Sequence, residues 1–249
     1  MEEKIKRWIL GNFCFNARHE PSPNTRLLIF ANSRNNYKER LRQAAKKYRN
    51  SVLNYCVTDK EVQILIHGDA QRLTNIVRYT SCLAAADYSL KANDEGPFWK
   101  GRYKANIIQK GIHLLRFSLM LDRMMIDREI CLHQAEWIHS GYRDLTGIRK
   151  RYTVANTKKM AKLTGFTNEE DFRRWYIGYS PEMSEELSGC LSKINNATAI
   201  GGKKEIEKIA KTFSRRSWAI EKIIPHERIP TFALFLPNKT RRRFTRSLK

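Results

Sequence analysis

Carboxylates are scarce in this chain. Only 25 Asp and Glu stand against 47 Lys and Arg in 249 residues, which leaves a net charge of +22 at pH 7. That excess goes beyond what solubility requires, and its self-repulsion in a compact fold calls for a polyanionic partner. Such charge supplies phosphate contacts that position a nucleic acid without reading its bases, and the resulting affinity falls steeply as salt rises. Paired cysteines are also missing. Cys14, Cys56, Cys82, Cys131 and Cys190 are odd in number and widely spaced, with no Cys-x-x-Cys pair. A disulfide framework is therefore excluded, and the expectation is buried thiols in a cytoplasmic protein. No apolar run approaches the roughly 20 residues of a membrane span, so no membrane partner is expected. Met1 to Lys6 lacks the basic-then-apolar build of a signal peptide. Internal repeats are absent, and the one biased segment is the basic tail from Asn238 to Lys249.

What is present suffices for a sizeable core, since 41% of the residues are hydrophobic. Trp8 to Ala17 reads as a first strand, closed by the Pro21-Ser22-Pro23-Asn24 loop. Tyr37 to Arg49 sets Leu41, Ala44, Ala45 and Tyr48 on one stripe of an otherwise basic helix. Val52 to Val57 and Val62 to Ile66 fit two adjacent strands. Ala70 to Ala92 is a long amphipathic helix opened by Asp69 as N-cap. A turn from Phe98 to Tyr103, a strand from Lys104 to Gln109 and a helix from Ile112 to about Asp127 follow. Further on, Thr167 to Glu170 reads as a capping box for a helix from Asn168 to Tyr176.

Residues 96 to 108, Gly-Pro-Phe-Trp-Lys-Gly-Arg-Tyr-Lys-Ala-Asn-Ile-Ile, are the most informative stretch, a turn dense in aromatics and bases that leads into an apolar strand. In order and spacing it resembles the "GxLWxGRYKa" stretch of the REP-associated tyrosine transposases, HUH-type single-strand transposases. Residues 136 to 143, Glu-Trp-Ile-His-Ser-Gly-Tyr-Arg, resemble the segment that closes that family's catalytic domain, and Ala199 to Lys203 resembles a stretch of its longer members. The resemblance implies an α+β fold with an HUH-type, ferredoxin-like or RRM-like antiparallel sheet backed by helices, followed by a smaller helical domain. The expected divisions are 1–146 for the transposase-like domain, 147–236 for the helical domain and 237–249 for the tail. It also implies a homodimer, for which the helix from Ala70 to Ala92 offers apolar surface.

The family's active-site positions are mostly changed here. Glu61 and Gln63 fall where the two metal histidines belong, Phe117 where the nucleophilic tyrosine belongs, and Leu121 where a polar residue follows one turn later. A phenol attacks phosphorus through an oxygen that Phe117 lacks, so no catalytic residue is intact. Glu61 and Gln63 keep the alternation that points two side chains one way, and oxygen ligands suit Mg²⁺ or Mn²⁺. The better reading is a relic polar pair on an exposed strand face, with Mg²⁺ or Mn²⁺ relevant only to residual activity. His113, one turn before Phe117, reads more readily as a packed or solvated helix residue than as a ligand.

For DNA contacts the candidates are Arg18, Lys100, Arg102, Tyr103, Lys104 and Arg116 in the first part of the chain. Arg149, Lys150 and Arg151 follow in a basic linker, and Arg241, Arg242 and Arg243 lie in the tail. Of the turn, the aromatics Phe98, Trp99 and Tyr103 read as largely structural and the bases as largely functional. The favoured function is a DNA-binding descendant of such a transposase, which recognises hairpin or single-stranded DNA and has lost cleavage. Two alternatives stay open: an active single-strand endonuclease or transposase with a non-standard metal site, and an RNA-binding protein that reuses the fold.

Overall fold

The computed structural model describes residues 12–23, 28, 30–49, 52–92, 97–187, 190–212, 218–224 and 230–235. In chain order these form β1 (Phe13–His19), α1 (Ala31–Lys47), β2 (Val52–Val57), β3 (Val62–Gly68), α2 (Ala70–Ala92), β4 (Lys104–Ile108) and α3 (Ile112–Arg123). There follow α4 (Tyr142–Leu145), α5 (Thr157–Thr164), α6 (Glu169–Glu186), α7 (Cys190–Ile194), β5 (Ala199–Gly201), α8 (Lys203–Thr212), β6 (Ala219–Ile224) and β7 (Thr231–Phe235). The fold is α+β, with one seven-stranded sheet in the order β2-β3-β1-β4-β5-β7-β6 among the described residues.

Helices cover both faces of that sheet, because its strands alternate between two cores. On one face Phe15, Ala17, Ile64, Ile66, Ala105 and Ile107 pack with Leu41 and Ala44 of α1, Leu73 and Ile76 of α2, and Ile206 of α8. On the other, Cys14, Leu65 and Ile108 meet Leu114, Phe117 and Leu121 of α3, with Tyr142, Met160, Phe172 and Ile194 behind them. Burial of such side chains contributes on the order of 2 kcal/mol each, and both strand faces are apolar enough to demand a helical layer. α2 has the predicted bounds, and the Asp69 carboxylate accepts from Arg72 N–H at 2.7 Å as its N-cap. Leu73, Ile76, Val77, Ala84 and Tyr88 lie in the first core, whereas Cys82 and Ala86 are exposed.

Several expectations are corrected. The strands before position 146, β2-β3-β1-β4, pair antiparallel as expected, and β5, joined to β4 in parallel, makes the whole sheet mixed. Residues after 147, expected to be helical, supply three strands that extend the same sheet. The second core joins residues from both sides of position 146. α6 begins one residue later than the capping box implies: Asn168, not Thr167, accepts from Asp171 N–H at 2.8 Å. The cysteines divide, with Cys14 and Cys56 buried, Cys82 exposed, Cys131 and Cys190 between, and all five free. No helix among the described residues is long and apolar enough to cross a membrane. The strand start at 8–11 and the tail lie outside the described residues.

Candidate nucleic-acid interface

The turn after α2 is built from its aromatics. Trp99 stacks on His19 at 3.9 Å between ring centroids and donates its indole N–H to the Ser81 carbonyl at 3.0 Å. Phe98 is buried edge-on against Trp99. The His19 ring is held between Ser81 Oγ at 3.1 Å and the Gly101 carbonyl at 2.8 Å. Burial, which outweighs the Gly101 carbonyl and Glu20, pushes the His19 pKa down to about 4, so the ring is a neutral rivet at pH 7. Tyr103 is half-buried with its hydroxyl 3.2 Å from Thr74 Oγ1. The split expected from the sequence is therefore present in the geometry: the rings lock the turn and leave its bases outside.

Those bases surround a cleft of about 260 Å³ lined by Arg18, His19, Glu20, Lys100, Gly101, Arg102 and Lys104. Lys100, Arg102 and Lys104 are exposed. Arg18 reaches Glu20 at 3.0 Å and Lys100 reaches it at 3.4 Å. Burial alone would raise the Glu20 pKa, but Arg18, Lys104 and Lys100 outweigh it and hold it below the usual carboxylate range. One ionised acid among four cations leaves the cleft strongly positive.

Beneath Arg18 lie Glu61 and Gln63, the pair that the sequence resemblance sets at the metal-histidine positions. Glu61 is buried and clamped by two guanidinium groups, those of Arg18 and Arg128. Gln63, fully buried, accepts from Asn16 Nδ2 at 3.0 Å and sends its own amide N–H toward Glu61 at 3.3 Å and Met124 Sδ at 3.7 Å. The pair still shares one side of β3, but that side is not the exposed face expected: it is sealed by α3. Phe117 and Leu121 have no solvent exposure. The α3 carboxylate Asp122 is buried and bonded to Asn54 at 3.0 Å and to the Tyr176 hydroxyl at 2.5 Å. A divalent cation does not fit these residues, because the one carboxylate at the histidine positions is already neutralised by two arginines and its neighbours offer an engaged amide and two hydrocarbons. No cluster of three His, Cys, Asp or Glu suited to a metal occurs among the described residues. Replacing Glu61 with Ala is expected to cost about 2 kcal/mol by leaving Arg128 uncompensated and Arg18 with Glu20 alone. Urea denaturation of the variant measures it, and an unchanged midpoint would show that the clamp is solvated.

Other candidates are placed differently from one another. Arg116 is buried, 1% exposed, and donates to Thr231 Oγ1 at 2.9 Å, so it is withdrawn from the candidate contacts; its position inside the apolar periodicity of α3 carries it under β7. His113 is likewise buried, 3.0 Å from the same Thr231 hydroxyl. Arg149 is engaged with Asp144 at 2.6 Å and the Tyr55 hydroxyl at 2.7 Å, whereas Lys150 and Arg151 are exposed. Arg241, Arg242 and Arg243 lie outside the described residues. Sequence reasoning missed Arg128, the second clamp on Glu61, because 67 residues separate them in the chain.

No family model matches this chain, and no curated protein matches it. A solved structure described as a REP-associated tyrosine transposase bound to a REP hairpin is similar over 63% of this chain and 90% of that one, with a TM-score of 0.43 and 8% sequence identity. A likeness of that size does not establish the family.

Proposed function

We propose that this chain is a DNA-binding protein of transposase-like ancestry that holds hairpin or single-stranded DNA and does not cleave it. The observation that carries this reading is the cleft at Arg18, Lys100, Arg102 and Lys104, in which four cations face one acid on a turn made rigid by stacked aromatics. A turn fixed in place presents its cations to phosphates without the entropy cost of ordering the backbone on binding. The ancestry rests on the order of residues in the turn from Gly96 to Lys104 and on the register that puts Phe117 at the nucleophile position. The absence of cleavage rests on that phenylalanine and on the sealed face around it, where no phosphate has access.

Incubation with single-stranded DNA hairpins and Mn²⁺, resolved on denaturing and native gels, tests the reading. The expected result is a native shift stronger for the hairpin than for plain duplex, with no nick and no covalent adduct. Phe117→Tyr is expected to remain inactive and to lose about 1 to 3 kcal/mol of stability, because its hydroxyl enters a site with no solvent and no designed partner. An adduct formed by either protein overturns the loss of cleavage, and equal binding of hairpin and duplex overturns the structural preference.

A further inference from the structure

A cleft of about 650 Å³ lies away from the turn, between the C-terminal end of α1, the loop from Gly147 to Asn156 and the starts of α5 and α6. Six cations line it, Arg42, Lys46, Arg149, Lys150, Lys158 and Arg173, against two carboxylates, Asp144 and Glu169. Both acids are already engaged. Asp144 is buried, takes Arg149 at 2.6 Å, and accepts from the backbone N–H groups of Val154 and Ala155 at 2.9 and 3.0 Å. Glu169 pairs with Arg173 at 3.1 Å. Lys46, Lys150 and Lys158 are exposed, and none of the three makes a salt bridge among the described residues, although Lys46 acts on Glu39 through space. The Asp144 network thus fixes the loop and cancels Arg149, while three lysines keep their charge.

An aromatic ring stands beside the cleft, on the same loop and against the lining residue Arg42. Tyr152 is 76% exposed, its backbone sits in the left-handed region at φ 56°, and the Arg42 guanidinium lies 5.6 Å from its ring centroid. A bulky residue held in that conformation and turned outward gains nothing from core packing. The ring offers its other face for stacking.

We propose that this cleft binds a nucleotide, with its phosphates on Lys46, Lys150 and Lys158 and its base stacked on Tyr152. The volume suits a ligand of that size, and any base can stack on one exposed aromatic because every base has a π-face. The start of α5 lines the same cleft and adds partial positive charge. The shared chemistry, phosphate plus base, belongs equally to a free nucleotide and to one unit of a strand. This site does not depend on the Arg18 cleft or on the reading of that cleft as a DNA contact.

Calorimetric titration of the full chain with ADP, pyrophosphate and a short thymidine oligonucleotide separates the cases. ADP is expected to bind, and Lys150→Glu with Lys158→Glu to weaken it at least tenfold. Tyr152→Asn, which tolerates the left-handed backbone, is expected to weaken ADP about fivefold and leave pyrophosphate unchanged. Variants at Lys100 and Arg102 are expected to leave ADP binding unchanged, which distinguishes this site from the other cleft. If the oligonucleotide binds and ADP does not, with the same sensitivity to Lys150, Lys158 and Tyr152, the source is a strand and the phosphate-and-base chemistry stands. Absence of both, or binding indifferent to these three residues while circular dichroism shows the variants folded, overturns the proposal.

Discussion

Reversing two charges at the turn, Lys100→Glu with Arg102→Glu, is expected to weaken DNA hairpin binding about a hundredfold near 0.1 M salt. That figure corresponds to on the order of 1.4 kcal/mol for each reversed charge. Both side chains are exposed, and the turn beneath them is held by Trp99, His19 and Phe98 rather than by the bases, so thermal stability is expected to change little. The salt dependence provides the sharper readout. Removing one cation from a phosphate lowers the slope of log K against log salt by about 0.7 to 0.9, so the double variant is expected to show a slope shallower by about 1.5. Fluorescence anisotropy with a labelled hairpin at several salt concentrations gives both quantities. A variant that binds as well as the parent, with the same slope, would remove the cleft from the DNA-binding surface and would leave the tail and the second basic cleft to account for binding.

Acidification from pH 7 to pH 4 is expected to destabilise the chain by on the order of 5 kcal/mol, discounted for the water that reaches the partly open rings. Burial pushes four histidines, His19, His67, His113 and His139, down to about 4. Cations add to the effect of burial at three of them: Lys159, Lys110 and Arg72 at His67, Arg116 at His113, and Arg34, Lys38 and Arg149 at His139. The unfolded chain takes up protons at about 6.5, so the stability tied to these rings is complete above that pH and is lost as pH falls from 6.5 toward 4. Asp122 opposes them. Burial, set against its bonds from Tyr176 and Asn54, raises its pKa to about 7, so its contribution is complete below the ordinary value of 3.8 and is lost as pH rises toward 7. Four groups against one fix the sign between pH 4 and 6.5, and the repulsion of a net charge of +22 grows as the carboxylates protonate. Urea titrations across this range measure the change, and a stability that rises on acidification would mean that Asp122 outweighs the histidines.

How much was legible depended on the distance over which each interaction acts. α2 could be read to its ends because periodicity and the Asp69 cap are local signals. The pair β2 and β3 could be read because four residues join them, and Thr58 closes that turn with bonds to Glu61. The division of the turn into structural rings and free bases was legible from residue types. The pairing of β4 with β5 was not, since some ninety residues intervene and a three-residue strand carries almost no periodicity. Neither was the burial of Arg116, because a basic residue in an apolar stripe reads as a surface position until a partner hydroxyl arrives from Thr231.

By itself the sequence determined an excess of positive charge that no folding can remove, and it determined that position 117 carries a phenylalanine with no hydroxyl to offer. Only the tertiary structure decided what became of the altered positions. The helices between Tyr142 and Ile194 close over Phe117, Gln63 is held by Asn16 and Met124, and Arg18 and Arg128 meet on Glu61, so these residues form an ion-paired and apolar interior. Those interactions join residues tens of positions apart, and a sequence specifies such meetings only through the packing of the whole chain.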